Sequence, residues 1–281
     1  MVEEQLIENV KNSINGLDLH KTDDLVVYLN ARDLLIDNGF IKNKNLKLQN
    51  AYKELFSEEE LLDKGLDKTL RDIKSKDRQL CLVASQILSR EPFNEVNLIT
   101  KFYLRNPLTI DLLLNVLNDQ EDEDIFVNIA VCLGRNALRY KYDDISVFDN
   151  IFRSYDNLKK TESKMWVVGA CAHFPTDKKW RYICEVLYLK PEKDAIKRIS
   201  LPLGMYAKEI PNKYRDKIID RLIEVAKNVR GKYVKADAVR SLLDLSKRSD
   251  IEKLLDIRNS VTLLPSVVKD LDTAIKNLSN N

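Results

Sequence analysis

The chain has 281 residues, of which 44% are hydrophobic and 32% are charged, and its net charge is +2. This hydrophobic fraction supports a continuous core and excludes a disordered chain, which combines low hydrophobicity with high net charge. Seven Gly and seven Pro are too few for the many tight turns of a β-sandwich or the glycine loops of a Rossmann-like domain. Apolar residues instead recur every three or four positions, which predicts an all-α protein.

Charge is distributed unevenly along the chain. Residues 141–281 hold 28 Lys and Arg against 20 Asp and Glu, whereas residues 1–140 hold 18 against 24. This asymmetry predicts an acidic partner for the C-terminal half, and an uneven solvated surface is the alternative interpretation.

The N-terminal segment, MVEEQLIENVKNSI, is acidic and amphipathic, which is unlike a signal peptide. The longest apolar runs are far shorter than the ~20 residues of a membrane-spanning helix. The four cysteines are separated by 51, 39 and 13 positions, which matches no zinc or redox motif. We therefore expect a reduced, cytoplasmic protein without a membrane span.

Several helix boundaries can be predicted in chain order. A helix capped by Thr22 is expected to run through LVVYLNARDLLID and to end at Gly39. Ser57 with Glu60 forms an S-x-x-E capping box for a later helix. Asp77 is expected to cap the next helix. Pro202 lies inside a helical pattern, where it predicts a kink or a break because proline cannot donate the backbone hydrogen bond of a helix interior.

From about residue 77 onward, one helix of each predicted pair carries a small residue near its middle. These small residues are Ala84, Ala130, Ala170, Gly204 and Ala238, separated by 46, 40, 34 and 34 positions. Such a period is typical of stacked helical hairpins. Small side chains let neighbouring helices approach closely while the flanking Leu, Ile and Val fill the contact.

Two of these segments, VKADAVRSLLDL and FVNIAVCLGR, resemble the second helix of a HEAT repeat. The resemblance covers about residues 77–250 as five repeat-like units, most of which lack the turn proline and aspartate that are usual in the family. It implies an all-α, right-handed α-α superhelix, a HEAT-like (armadillo-like) solenoid of stacked antiparallel helix pairs.

The domain organisation follows from this resemblance. Residues 1–76 fit the repeat poorly and are expected to form an N-terminal helical cap region, because the end of a solenoid needs a polar outer face. Residues 77–281 are expected to form the repeat array, which ends in a capping helix over residues 264–278. The two parts are expected to form one continuous solenoid.

The sequence predicts no catalytic, metal or cofactor site. It contains no P-loop, no G-x-S-x-G and no H-E-x-x-H motif. His20 is expected in a solvated turn, and the acidic run EDED at 121–124 is expected to begin a helix, where carboxylates favour the positive end of the dipole. The sequence therefore favours a non-catalytic protein and leaves open whether it has any catalytic activity.

One group of residues carries an alternative hypothesis. Trp166, His173, Asp177 and Trp180 are close in the predicted hairpin order. The alkylpurine DNA glycosylases are helical-repeat proteins that use aromatic residues and an aspartate on a basic face, so these four are the candidate pocket if the protein binds nucleic acid. Core packing of the two tryptophans is the competing interpretation.

Basic residues on the predicted inner helices are the main candidates for partner binding, because inner helices line the concave face of a solenoid. They are Arg135, Arg139, Lys197, Arg198, Lys235 and Arg240. A solenoid offers a large, shallow surface, so we expect a non-catalytic scaffold that binds a macromolecule. A protein partner, acidic in character, is the first hypothesis, and nucleic acid is the alternative. The oligomeric state does not follow from the sequence.

Overall fold

The computed structural model shows an all-α fold, as the sequence predicts. It describes residues 2–18, 22–42, 45–56, 67–90, 104, 107–140 and 144–280. These residues form fifteen α-helices and no strand. In the part of the chain that is described, no helix is both long enough and apolar enough to span a bilayer. Helix packing divides the chain into two compact units, Met1–Asp156 and Asn157–Asn281.

The first unit contains eight described helices. They are α1 (Val2–Ile14), α2 (Thr22–Leu35), α3 (Leu46–Leu55), α4 (Asp67–Asp72), α5 (Arg78–Arg90), α6 (Pro107–Asn118), α7 (Glu123–Tyr140) and α8 (Ile145–Arg153). Helices α1, α2 and α3 pack against one another, α5 packs against both α4 and α7, and α6 packs against α7 and α8. The boundary predicted after residue 76 lies inside this unit, between α4 and α5, which are in contact.

Gly39 has a different role from the predicted one. It does not end α2, because the chain continues in a π-helical segment over Ile36–Lys42. A Cβ atom at Gly39 would lie 2.8 Å from the Cβ of Leu48 in α3. Glycine at this position therefore permits close packing of the π-helical segment on α3.

Two aspartates cap helices where the sequence predicts. The Asp77 carboxylate accepts hydrogen bonds from the N–H groups of Gln79 at 2.8 Å and Leu80 at 3.1 Å, at the start of α5. Asp122, in the run EDED, accepts from two N–H groups in the first turn of α7 and from the Arg78 side chain. The acidic run therefore begins a helix, as expected. The predicted capping box at Ser57 and Glu60, and His20, lie outside the described residues.

The second unit is described without interruption from Asn157 to Asn280. Its helices are α9 (Thr161–Cys171), α10 (Lys179–Leu187), α11 (Glu192–Met205), α12 (Asn212–Asn228), α13 (Lys232–Leu245), α14 (Ile251–Ser260) and α15 (Pro265–Asn280). Helices α9, α11, α13 and α15 pack successively against one another and form what we call the odd row. Helices α10, α12 and α14 pack in the same way and form the even row. The core of the unit lies between the two rows, because the apolar faces of both point there.

Pro202 lies inside α11, and the helical stretch that the sequence predicts around it is broken only three residues later. The helix stops at Met205, three residues after the proline, and the chain continues as a 3₁₀ turn over Ala207–Glu209. Pro202 has no N–H for the carbonyl of Arg198, one helical turn earlier. Gly169 of α9 packs against the carbonyl of Arg198. A Cβ atom on residue 169 would lie 2.9 Å from that carbonyl oxygen. The pair of special residues therefore brings α9 and α11 close together.

Candidate partner-binding surface

Three helices of the odd row, α9, α11 and α13, run in the same direction, which defines the two edges of their surface. His173, just after α9, is hydrogen-bonded to the hydroxyl of Tyr206, just after α11, at 3.1 Å. The ends of α11 and α13 are also in contact. Gly204, near the end of α11, lies so close to Asp244, near the end of α13, that an added Cβ atom would be 2.8 Å from the Asp244 carboxylate. The first turns of α9, α11 and α13 therefore lie along one edge, and their last turns lie along the opposite edge.

One stripe of exposed side chains runs along α11 between these edges. Lys193, Lys197, Leu201 and Met205 follow at intervals of four residues and are all exposed. The apolar pair is unusually accessible, with 57% of Leu201 and 50% of Met205 exposed. Side chains four residues apart lie on the same side of a helix. The stripe is therefore basic in the first half of α11 and apolar in the second half.

A stacked aromatic and arginine pair lies beside this stripe. The guanidinium carbon of Arg198 in α11 lies 3.2 Å from the ring centroid of Trp166 in α9. The indole N–H of Trp166 donates to Glu162 at 3.3 Å. Partial burial lowers the pKa of Arg198, although Asp194 and Glu162 oppose this effect, and an arginine keeps its charge regardless. The stack extends the surface from α11 onto α9.

The remaining residues of the predicted pocket lie in different surroundings. Trp180 is completely buried in the core, and Asp177 is exposed in the turn before α10. His173 is half-buried, and burial together with the nearby Lys179 lowers its pKa to about 4. With Trp166 on the surface under Arg198, the four predicted residues are divided among the core, the surface and a half-buried helix end.

A buried lysine accompanies His173 at this helix end. The Lys179 ammonium lies 3.8 Å from the ring centroid of Tyr206 and 3.6 Å from the carboxylate of Glu209. Burial lowers the pKa of Lys179, and burial followed by the charge of Glu209 raises the pKa of Tyr206. These contacts join α10 and the end of α9 to the end of α11, so their evident role is to position the helices.

The six predicted basic residues are divided between the two units. In the first unit, the Arg135 side chain donates to the carbonyl of Ser89 and thereby connects α7 to α5, and Arg139 is exposed near the end of α7. In the second unit, Lys197 and Arg198 are adjacent on α11. Lys235 lies in the first turn of α13, and Arg240 lies later in the same helix, 3.8 Å from Asp270 of α15.

The apolar half of the stripe was missed by sequence reasoning, which assigned the segment around Pro202 to the core. Leu201 and Met205 extend the interval of four residues that begins with Lys193 and Lys197. That interval was visible in the sequence. Which side of α11 is buried could not be read there, because the helix has apolar residues around much of its circumference.

The charge asymmetry becomes larger when it is evaluated for the two units. Asn157–Asn281 contains 26 Lys and Arg against 16 Asp and Glu, a net charge of +10, and Met1–Asp156 contains 20 against 28, a net charge of −8. The candidate surface on the odd row therefore belongs to the unit with the positive net charge.

The four cysteines, all of which are described by the structure, form no disulfide. Cys81, Cys132 and Cys171 are buried and Cys184 is half-buried, and burial raises the pKa of Cys184 to about 11. Across the ranges that the structure describes, no three His, Cys, Asp or Glu side chains are grouped so as to hold a metal ion.

Comparison with known proteins adds evidence on the fold alone. No protein-family model and no curated protein matches the chain. Among solved structures, the chain is similar to the crystal structure of an engineered protein from the Northeast Structural Genomics Consortium, with a TM-score of 0.50 and 15% sequence identity. The similarity covers 77% of this chain and 99% of that chain. At this level of identity it carries no information on function.

Proposed function

We propose that this protein is a non-catalytic helical-repeat scaffold that binds another protein through the exposed side of the odd row. The successive packing of α9, α11 and α13, with the even row behind them, supports a HEAT-like solenoid. The right-handed superhelix and a cytoplasmic location are parts of the same proposal. Four cysteines that form no disulfide are in keeping with a reducing compartment.

The observation that carries the proposal is the group formed by Leu201, Met205 and the stacked Trp166 and Arg198. Large apolar side chains that are half exposed or more on consecutive helical turns lose water when a partner covers them. Trp and Arg are also enriched among the residues that contribute most to protein–protein binding, where they cluster near the interface centre. This combination supports a protein partner.

Site-specific photocrosslinking in the cells that produce the protein tests this proposal. A photoreactive phenylalanine analogue replaces Leu201 in one variant and Leu255 in a control variant. Leu255 is 42% exposed and lies on α14 of the even row. We expect discrete crosslinked protein species from position 201 and none of these from position 255. Equal patterns from both positions, or crosslinks to nucleic acid only, would contradict the proposal.

Replacement of the apolar pair provides a quantitative test once the crosslinked partner is purified. The L201S/M205S variant is expected to lose about 2 kcal/mol or more of binding free energy, because both side chains would be removed from the interface centre. The L255S variant, which changes a similarly exposed leucine on the even row, is expected to bind as the unmodified protein does. Isothermal titration calorimetry measures both.

Nucleic-acid binding is the second candidate, supported by the net charge of +10 in Asn157–Asn281. Phosphate contacts release counterions, so the affinity for duplex or single-stranded DNA would fall steeply between about 50 and 200 mM salt. Fluorescence anisotropy of labelled DNA at both salt concentrations tests this candidate. Salt-sensitive binding that is lost in a K197E/R198E variant would favour it over the protein scaffold.

A further inference from the structure

We infer that the partner protein presents a segment with acidic side chains at one end and bulky apolar side chains at the other, and that this segment lies along α11. The inference rests on the proposed function and specifies the chemistry of the partner. It is carried by the stripe of Lys193, Lys197, Leu201 and Met205, which changes from basic to apolar along one side of a single helix.

The two lysines of the stripe, Lys193 and Lys197, are not neutralised by an ion pair in the part of the chain that the structure describes, and the neighbouring carboxylate of Asp194 acts on Arg198. The nearby acidic side chain of Glu192 is already engaged by Lys190 and Arg221. Glu162 accepts the hydrogen bond of Trp166. The two ammonium groups of the stripe are therefore available to carboxylates of a partner.

Further basic residues lie on the same edge of the odd row. Lys232 and Lys235 belong to the first turn of α13, and Lys159 and Lys160 directly precede α9. Because α9, α11 and α13 are parallel, these lysines and Lys193 share the edge formed by the helix N-termini. Lysines are unfavourable at the positive end of a helix dipole. The first turns of α9 and α11 also contain the carboxylates of Glu162, Glu192 and Asp194. The five lysines outnumber these three acids, so the edge keeps an excess of positive charge that would attract an acidic segment.

The length of the stripe limits the length of the partner segment. From Lys193 to Met205 the helix rises by about 18 Å, at 1.5 Å per residue. A helical segment of about 12 residues covers this distance, with acidic side chains opposite the lysines and apolar side chains opposite Leu201 and Met205. Helices commonly bind partners in this way, through anchors on consecutive turns.

The apolar half favours an acidic protein segment over nucleic acid. A nucleic-acid backbone carries a negative charge at regular intervals along its whole length. Such a ligand would match the two lysines but would place phosphates next to Leu201 and Met205. A protein segment can change from acidic to apolar within one turn of a helix. It would therefore match the stripe, which changes from basic to apolar over the same distance.

Selection from a library of random peptides about 12 residues long, displayed on phage and captured by the full-length protein, tests the inference. We expect the selected peptides to be rich in Glu and Asp at one end and in Leu, Ile or aromatic residues at the other. The strongest binder is then labelled with fluorescein, and its affinity is measured by anisotropy.

Two variants with the same change in charge provide the decisive comparison. K193E/K197E reverses the basic half of the stripe, at the second and sixth residues of α11. K213E/K217E reverses two exposed lysines at the second and sixth residues of α12 in the even row. We expect K193E/K197E to weaken peptide binding by about tenfold or more, because like charges would face each other. K213E/K217E is expected to change the affinity by less than about twofold, because those charges are distant and screened.

The outcomes separate this inference from the proposed function. The inference of an acidic segment is overturned by either of two results. One is a set of selected peptides that lack acidic residues, and the other is equal affinity of K193E/K197E and K213E/K217E for the selected peptides. If L201S/M205S nevertheless weakens binding of the selected peptides, the proposed protein-binding surface is retained and only the acidic segment is rejected. If neither variant affects the selected peptides, both ideas fail. Tight binding of labelled duplex DNA that K193E/K197E abolishes would assign the lysines to nucleic acid and overturn the inference.

Discussion

The two rows of helices in the second unit are held together by different interactions. In the even row, three ion pairs connect α12 to α14 or to the turn before it: Arg215–Asp250, Lys227–Asp256 and Lys253–Asp220. In the odd row, one exposed ion pair, Arg240–Asp270 at 3.8 Å, connects α13 to α15. Helices α9 and α11 are joined instead by the close contact at Gly169 and by the stacking of Arg198 on Trp166.

This difference shows where the molecule satisfies its own charges and where it does not. Several charged side chains of the even row are neutralised by the neighbouring helix. The lysines of the stripe on α11 have no such partner, and exposed apolar side chains continue the stripe. We expect another molecule to bind where lysines have no ion pair and large apolar side chains are exposed to solvent.

The largest expected effect concerns the buried ion pair of the even row. Arg215 donates to the Asp250 carboxylate and to the carbonyl of Leu245, and both side chains are almost fully buried. Arg215→Met would leave Asp250 buried without its counter-charge, which costs about 3–5 kcal/mol. Chemical denaturation measures the loss of stability.

The exposed pair Lys253–Asp220, at 2.8 Å in the same row, is the control. Asp220→Asn is expected to cost less than about 1 kcal/mol, because solvent screens an exposed pair. Similar losses for the two variants would show that burial does not determine the strength of the even-row pairs.

The second prediction concerns pH and the odd row. The folded-state pKa of His173 is about 4, below its value near 6.5 in an unfolded chain. The unfolded state therefore binds more protons between these pH values. The stabilisation is complete above pH ~6.5 and is lost as the pH falls to about 4, with a total of about 3 kcal/mol.

The variant H173N isolates this contribution, because asparagine does not titrate. The free energy of unfolding should decrease less steeply with falling pH in H173N than in the unmodified protein. Parallel curves over this range would mean that His173 takes up its proton without any cost to the folded state.

The third and smallest prediction tests the close helix contact of the odd row. In G169A, the added methyl group would meet the backbone of Arg198 at 2.9 Å, whereas in G204A it would meet the movable carboxylate of Asp244 at 2.8 Å. Both variants gain helix propensity, so the difference between them reports the backbone clash. We expect G169A to be about 1–3 kcal/mol less stable than G204A. Equal thermal stabilities would show that α9 and α11 can separate without cost.

Much of the fold was predictable from local patterns in the sequence. The sequence correctly predicted the all-α fold from the three-and-four spacing of apolar residues, the cap at Asp77 and the helix that begins at the acidic run. The break expected at Pro202 occurs three residues beyond the proline, which itself lies inside α11. These features depend on hydrogen bonds and contacts within one or two helical turns. The position of a glycine was less informative, because Gly39 serves a tertiary contact and not the helix end that its sequence context predicts.

The candidate surface was only partly predictable. Lys197 and Arg198 were identified from the basic residues of the predicted inner helices, and they lie on the proposed surface. Leu201 and Met205 were not identified, because an exposed apolar residue and a buried one look the same in a single sequence. The indole of Trp166 and that of Trp180 were treated as equivalent, yet one lies under an arginine and the other is in the core.

The sequence by itself determined the all-α class, the approximate helix boundaries and the excess of basic residues toward the C-terminus, because composition and local periodicity are sufficient for these. The tertiary structure decided the division into two units, the parallel order of α9, α11 and α13, and which side of α11 remains exposed. Those properties depend on contacts between residues that are distant in the chain. Side-chain volumes and partner geometry fix such contacts, and no local pattern records them.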